Sequence, residues 1–319
     1  MIRSFIFSEG KLVGRDLELE ALRLVLADKG LVAWVDLENP TDGEIKEILE
    51  GVFHFHPLAI EDCVTPSLLP KIEDYDDYLF MVTHAVDYSR TEKFATTELD
   101  LFLGKEFLVT FHRTPLKSVQ SSAERVGKST ARGPDRLAHT LLDQLVDNYQ
   151  PVMDELHAEL EELEESVLAE EGSQQKLVNE LLAVRKDFTR LRQIVRPQRD
   201  VIERLARGDS KFIRTTLLPY YRDLRDNLAR LEEITIGYQE RLMMAFDIYL
   251  NKAAFQANQG IKFLTAITAV TIPVMVVGTW YGQNFKNMPE LEHGYFWALG
   301  ITILCTLLTA IYLKKKKWF

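Results

Sequence analysis

Two apolar runs near the end of this 319-residue chain restrict its possible folds more than any other feature. Residues 261–280 read IKFLTAITAVTIPVMVVGTW, with Lys262 as the one charge, and residues 295–313 read YFWALGITILCTLLTAIYL, with none. As helices rising about 1.5 Å per residue, each is about 30 Å long, the thickness of a bilayer's hydrocarbon core. Lying at the far end of the chain, neither suits a cleaved leader. Two such runs in succession predict a pair of transmembrane helices in preference to a buried core hairpin.

The flanking charges predict the orientation. Lys252 and Lys262 stand at the start of the first run, and Lys314, Lys315, Lys316 and Lys317 follow the second. The stretch between them holds Lys286 against Glu290 and Glu292. The positive-inside rule then puts both termini in the cytoplasm and a short acidic loop outside, in a multi-pass protein of the inner (plasma) membrane. Trp280, Tyr281, Tyr295, Trp297, Tyr312 and Trp318 sit where interfacial aromatic belts are found.

The remaining chain is polar and acidic. A formal net charge of -10 argues against nucleic acid as a partner and suits a protein that handles cations. Cys63 and Cys305 are too few for a disulfide framework or a thiolate zinc site. No glycine-rich phosphate cradle, nucleophile elbow or HExxH motif occurs, so neither an enzyme nor an organic cofactor is expected.

Residues 1–140 read as a cytoplasmic α/β domain with a mixed sheet. Strand-like runs cover 31–37, 78–88 and 98–112, the last folded by a hairpin turn at Gly104-Lys105. A helix over 41–49 is capped by Thr41 with Glu44 three residues on, and His56-Pro57-Leu58 opens a helix carrying Glu61 and Asp62. Residues 141–207 read as a helical hairpin that turns at 170–173. Its first arm, 151–175, holds eight Glu and no Lys or Arg; its second, 176–207, holds nine Lys and Arg, so the acidic helix is expected near the basic one. Those charged faces serve either plain solvation or a regulatory contact. Residues 208–260 predict a stalk helix continuous with the first span (261–280). An external loop (281–294), the second span (295–313) and a basic tail (314–319) complete the chain.

The first span carries a polar stripe. Positions 247, 251, 254, 258, 261, 265, 268 and 272 alternate four and three residues apart, which is one helical seam. It presents Asp247, Asn251, Ala254, Asn258, Ile261, Thr265, Thr268 and Ile272. Polar groups in a span face a bundle interior or a water-filled path, so several copies around an axis could enclose a pore; interhelical hydrogen bonding is the alternative use of the same residues. Neutral oxygens suit an ion such as Mg²⁺, which gives up its water shell reluctantly.

After the first span comes Tyr281-Gly282-Gln283-Asn284-Phe285, followed by Asn287-Met288-Pro289-Glu290-Leu291. With the two spans and the KKKKWF tail, this resembles the CorA family of divalent-cation transporters. HPLAIED (56–62), PKIEDYDDYLF (70–80), LFLGKEFLVTF (101–111), LLDQLVDNY (141–149) and PYYRD (219–223) also resemble segments of that family, in the same order, over nearly the whole chain.

The resemblance implies an α+β/α membrane protein: a funnel-shaped homopentamer that imports Mg²⁺, and in relatives Co²⁺ and Ni²⁺, down the membrane potential. Its pore-lining positions would be Asp247, Asn251, Asn258, Ile261, Leu264, Thr268 and Ile272. Its outer selectivity motif would be Gly282, Gln283 and Asn284, with Gln283 in place of the family's usual Met. That departure also resembles ZntB-like zinc transporters, so proton-coupled Zn²⁺ transport is the alternative cargo; a non-conducting membrane-anchored metal sensor is a further one. The resemblance implies a regulatory Mg²⁺ site between subunits at Asp62 and Asp223, and a second at Glu61 and Asp143.

Overall fold

The computed structural model describes the chain except residues 29, 68, 90–92, 127–132, 170–173, 284–293 and 317–319, and except the side chains at 87–89, 93, 94, 174 and 295. It divides into two compact units, Met1–Met244 and Ala245–Phe319.

In the first unit β1 (Ile2–Ser8) and β2 (Lys11–Arg15) form a ribbon, followed by α1 (Leu19–Ala27) and β3 (Leu31–Glu38). Next come α2 (Asp42–Ile45), which runs on into a π-helical turn at Lys46–Glu50, α3 (Pro57–Val64), and the strands β4 (Lys71–Asp74), β5 (Tyr78–Ser89), β6 (Lys93–Gly104) and β7 (Phe107–His112). The helices α4 (Lys117–Val126), α5 (Pro134–Asp147), α6 (Tyr149–Ala169) and α7 (Gln174–Arg207) follow, and then α8 (Leu218–Tyr281), a single helix of 64 residues.

The seven strands make one mixed sheet in the order β2-β1-β3-β7-β6-β5-β4, and β3–β7 is its one parallel pair. Helices cover both faces. On one, Val35, Leu37, Phe80, Val82, Phe102, Val109 and Phe111 pack with Ile48, Leu49, Phe55, Ile60 and Cys63, and Phe55 stacks on Phe102 with ring centroids 4.0 Å apart. On the other, α5, α6 and α7 lie against β5 and its neighbours. The β4–β5 ladder ends at Lys71↔Val82, and beyond it the His84 N–H donates to Gln198 Oε1 at 2.9 Å while the His84 carbonyl accepts from the Tyr149 hydroxyl at 2.6 Å. Backbone groups on that strand edge, buried beneath α6 and α7, are thereby satisfied.

Two expectations change in detail. The β6–β7 hairpin turns at Lys105-Glu106, one residue later than Gly104-Lys105, because Gly104 is still in the ladder opposite Tyr78. Glycine is required there for another reason: a Cβ would overlap the Phe107 ring, which lies over it. The acidic helix α6 does pack against α7, and both helices also pair with α8: Glu164 with Arg241 at 2.6 Å, Arg199 with Glu232 at 2.5 Å, and Glu203 with Arg225 at 3.4 Å. The domain boundary expected after residue 140 falls inside α5.

The second unit holds the end of α8 and α9 (Gly294–Lys315). Both helices contain stretches long and apolar enough to cross a membrane. Among its described residues Ala245, Ala266 and Leu313 are the buried apolar ones, and most of the remaining apolar surface is exposed.

Candidate cation sites

The residues expected to line a pore, Asp247, Asn251, Asn258, Ile261, Leu264, Thr268 and Ile272, lie on α8, and all are exposed. The Thr265 hydroxyl donates to the Ile261 carbonyl at 2.8 Å and the Thr268 hydroxyl to the Leu264 carbonyl at 2.9 Å. With its proton committed to its own helix, each threonine hydroxyl is left with oxygen lone pairs that can accept a hydrogen bond. Pro273 stands inside the helix and has no N–H to offer the Ala269 carbonyl.

At the end of α8 the Gly282 N–H donates to the Gly278 carbonyl at 3.0 Å, and the Gln283 N–H to the Trp280 carbonyl at 3.4 Å. A Cβ on Gly282 would come within 2.9 Å of the Gly278 oxygen, so only glycine closes this turn without displacement. Gln283 is exposed. Asn284, the residue expected to supply the selectivity ring, lies outside the described residues.

The carboxylates fall into two sets. In the first, His56 caps α3 by accepting the Leu58 N–H on Nδ1 at 3.2 Å, and Pro57 occupies the first turn, where its missing N–H costs nothing. The helix carries Glu61, exposed, and Asp62, half-buried. Asp62 Oδ2 is 2.5 Å from the Lys71 ammonium, which also contacts Glu73 Oε1 at 3.1 Å; the Tyr75 hydroxyl donates to Glu73 Oε2 at 3.0 Å. Burial opposes the Glu73 charge, but the Lys71 and Tyr75 bonds outweigh it and hold the carboxyl below its usual range.

In the second set, Asp223 is exposed near the start of α8 and Asp143 is half-buried on α5. Two anchors fix that end of α8: the Tyr221 hydroxyl donates to the Asp135 carbonyl at 2.8 Å, and the Arg214 guanidinium grips the buried Asp135 carboxylate at 2.6 and 2.8 Å. Burial pushes the Asp143 carboxyl up; His139 opposes this, while Asp147 and Asp223 add to it. One chain therefore joins Asp143 with Asp223, and Asp62 with Lys71. Among the described residues no group of three or more His, Cys, Asp and Glu is arranged to hold a metal ion.

Sequence reasoning missed Lys71, Glu73, Glu98 and Asp100. Lys71 and Glu73 could have been found, since residues two apart on a strand share a face. Asp100 is fully buried and Glu98 half-buried, although alternation with Leu99 and Leu101 marks them as solvent-facing. The signal fails because both faces of this sheet are covered.

A family model described as CorA-like Mg²⁺ transporter protein matches residues 29–315. The chain is 34% identical to the Bacillus subtilis protein YfjQ, named for metal ion transport, over 291 residues, 90% of this chain and 89% of that one. It is 26% identical to the cobalt/magnesium transport protein CorA of Thermotoga maritima over 302 residues, 92% and 86% of the two chains. Among solved structures, the complete CorA magnesium transporter of Methanocaldococcus jannaschii matches 99% of this chain and 98% of its own with a TM-score of 0.83, at 20% identity. The ZntB cytoplasmic domain of Vibrio parahaemolyticus matches 70% of this chain and 88% of its own with a TM-score of 0.59, at 15% identity. At these identities the two structures carry the fold alone.

Proposed function

Because the chain belongs to the family of CorA-like Mg²⁺ transporter proteins, we propose that it is a homopentameric channel that imports Mg²⁺ and is closed by cytoplasmic Mg²⁺ bound between subunits. The observation that carries this reading is the continuity of α8. One helix bears Asp223 near its start, the stripe from Asp247 to Ile272 along its length, and Gly282-Gln283 directly after its end. An event at Asp223 thus acts on the helix that would line the pore.

In this mechanism the stripe passes a hydrated ion, with Asn258 and Thr268 accepting hydrogen bonds from its waters, and Asn284 forms the outer ring. A membrane potential of about -100 mV drives each divalent ion inward by about 4.6 kcal/mol, so no other energy source is needed. Asp62 of one subunit and Asp223 of the next, seconded by Glu61 and Asp143, repel until Mg²⁺ bridges them. Occupied sites hold the subunits together and close the path, so uptake falls as internal Mg²⁺ rises. Proton-coupled Zn²⁺ transport is the second reading, favoured by Gln283 where Met is usual.

The test is ion flux into liposomes holding the full-length protein, comparing Mg²⁺ with Zn²⁺, with a pH dye inside. Potential-driven Mg²⁺ entry that internal Mg²⁺ suppresses, without proton movement, is the expected result. Zn²⁺ entry accompanied by protons, with Mg²⁺ excluded, would overturn it in favour of the second reading.

A further inference from the structure

Behind α3 the sheet holds a cavity of about 310 Å³ that neither the conduction path nor the proposed gate uses. Its lining includes Cys63, Ser67, His84, Glu98, Asp100 and Phe111. Cross-strand register builds it: His84 stands opposite Glu98, and Val82 opposite Asp100, so the two carboxyls and the imidazole lie on one face of β5 and β6. Exposed Thr96 and Thr114 and half-buried Thr97 and Arg113 stand at its edge, which gives a route from solvent.

Three atoms in this lining have no partner among the described residues: Asp100 Oδ1, Glu98 Oε1 and His84 Nδ1. Asp100 is 1% exposed, where an unpaired oxygen is costly. The other oxygen of Glu98 is used, accepting the Ser67 N–H at 2.7 Å. His84 Nε2 lies 3.0 Å from the Ser67 carbonyl. A carbonyl only accepts, so Nε2 carries the proton, and Nδ1 of the neutral ring is a bare acceptor. Burial keeps the ring neutral by lowering its affinity for a second proton, although the Ser67 bond opposes this.

Among the described residues no local cation answers these acceptors. From β4, Lys71 is engaged by Asp62 of α3 and by Glu73. From β7, His112 gives Nε2 to Asp36 at 3.2 Å and Nδ1 to the Thr114 carbonyl at 2.7 Å. The Arg113 guanidinium lies over the Phe111 ring, 5.0 Å from its centroid, and donates to the Pro40 carbonyl at 3.4 Å. From α3, Cys63 presents a thiol whose ionisation is pushed well up by burial and by Asp100. Burial, then the Glu98 charge, pushes the Asp100 carboxyl well up, and burial raises Glu98. Within the chain the repulsion is relieved by a proton shared between the Asp100 and Glu98 carboxyls, which hydrogen-bond to each other.

We infer that this cavity is a binding site for a primary alkylammonium, whose three N–H donors meet Asp100 Oδ1, Glu98 Oε1 and His84 Nδ1 while its alkyl tail lies along Phe111 and Pro66. An ammonium has three donors and no acceptor, matching a lining of unpaired acceptors. Among the described residues no three of His, Cys, Asp and Glu are placed to ligate one metal ion, a tighter demand, at about 2.0–2.3 Å per bond, than hydrogen bonds of about 2.7–3.2 Å. The volume is at the small end of ligand pockets and suits a short chain. Binding displaces the proton held by the carboxyl pair, so affinity falls as pH is lowered.

The experiment is calorimetric titration of the detergent-solubilised full-length protein with butylammonium chloride and with its isomer tetramethylammonium chloride. The two cations share atoms and charge and differ in N–H donors. Butylammonium is expected to bind at least about tenfold more tightly than its isomer, and Asp100→Asn to weaken it by about tenfold or more. Glu98→Gln, at a less buried position, makes the same test if Asp100→Asn fails to fold. Equal binding of the isomers, no heat from butylammonium, or unchanged affinity in both variants would overturn the assignment. So would displacement of butylammonium by Mg²⁺ in the wild type but not in Glu98→Gln, which would give the cavity to a hydrated metal ion.

Discussion

Lys71 competes with any divalent cation that binds Asp62, and replacing it with Met should make uptake respond to lower internal Mg²⁺. Its ammonium is 2.5 Å from Asp62 Oδ2, and both side chains are 30% exposed, so a bridging cation must displace it. Ion pairs this accessible are worth about 1 kcal/mol at most, because water and salt screen them. Removing a competitor of that strength lowers the half-inhibitory Mg²⁺ concentration by up to about fivefold. The assay is Mg²⁺ influx into liposomes loaded with graded internal Mg²⁺. Lys71→Arg, which keeps the charge, should stay near the wild-type midpoint. In an Asp62→Asn background Lys71→Met should add nothing, since the competitor then has no ligand to guard. A midpoint unmoved or raised by Lys71→Met, in a protein whose inhibition is abolished by Asp62→Asn, would refute the competition. Inhibition that survives Asp62→Asn would instead refute the proposed gate.

Other perturbations address the scaffold and the path. Asp36 is fully buried and accepts bonds from Thr110 at 2.6 Å, His112 at 3.2 Å and Arg3 at 2.7 Å; Asp36→Ala takes this acceptor from Thr110 and His112, leaves Arg3 with Glu38 at 3.4 Å, and should cost about 3–5 kcal/mol in denaturant unfolding. Burial opposes the Asp36 charge, but these bonds outweigh it and hold the carboxyl below its usual range. Its stabilisation is therefore complete above the ordinary carboxylate range and lost as pH falls through the folded value, so wild type and Asp36→Ala should converge in acid. Thr268→Val removes an outward acceptor while keeping shape, and should lower the initial Mg²⁺ uptake rate roughly tenfold with an unchanged elution profile. Gln283→Met should raise the ratio of Mg²⁺ to Zn²⁺ flux, and an unchanged ratio would remove residue 283 from ion choice.

Features set by neighbours in the chain were legible in the sequence. The capping box shows both of its bonds, Glu44 N–H to Thr41 Oγ1 at 3.4 Å and Thr41 N–H to Glu44 Oε2 at 2.7 Å. The unbroken helical pattern after residue 220 is α8. Features set by partners distant in the chain were not. The β6–β7 turn depends on which residues pair, and a Phe107 ring laid over Gly104 has no local signature. Glu98 and Asp100 alternate with leucines as solvent-facing residues do, and only the helices on both faces of the sheet put Asp100 inside.

A site completed by a neighbouring subunit leaves each chain with unbalanced charge, and that imbalance distinguishes the proposed gate residues from ordinary surface carboxylates. At Asp143 burial, Asp147 and Asp223 disfavour ionisation, and His139 and Arg136 oppose them without cancelling the shift. The half-buried position denies Asp143 full screening by water. A divalent cation relieves more of this repulsion than Lys or Arg can, because it brings two charges without an aliphatic stem to pack. The Asp62 side is balanced differently, by an ammonium tethered within the same chain. Cation binding would then release Lys71 at one carboxylate set and quiet repulsion at the other. Protons compete with the cation wherever a carboxyl is raised, so acidification should weaken Mg²⁺ feedback through Asp143 first. Asp143→Asn should lessen that pH dependence while keeping feedback itself, measured as half-inhibitory internal Mg²⁺ across a pH series. A pH dependence identical to wild type would place the titrating group elsewhere.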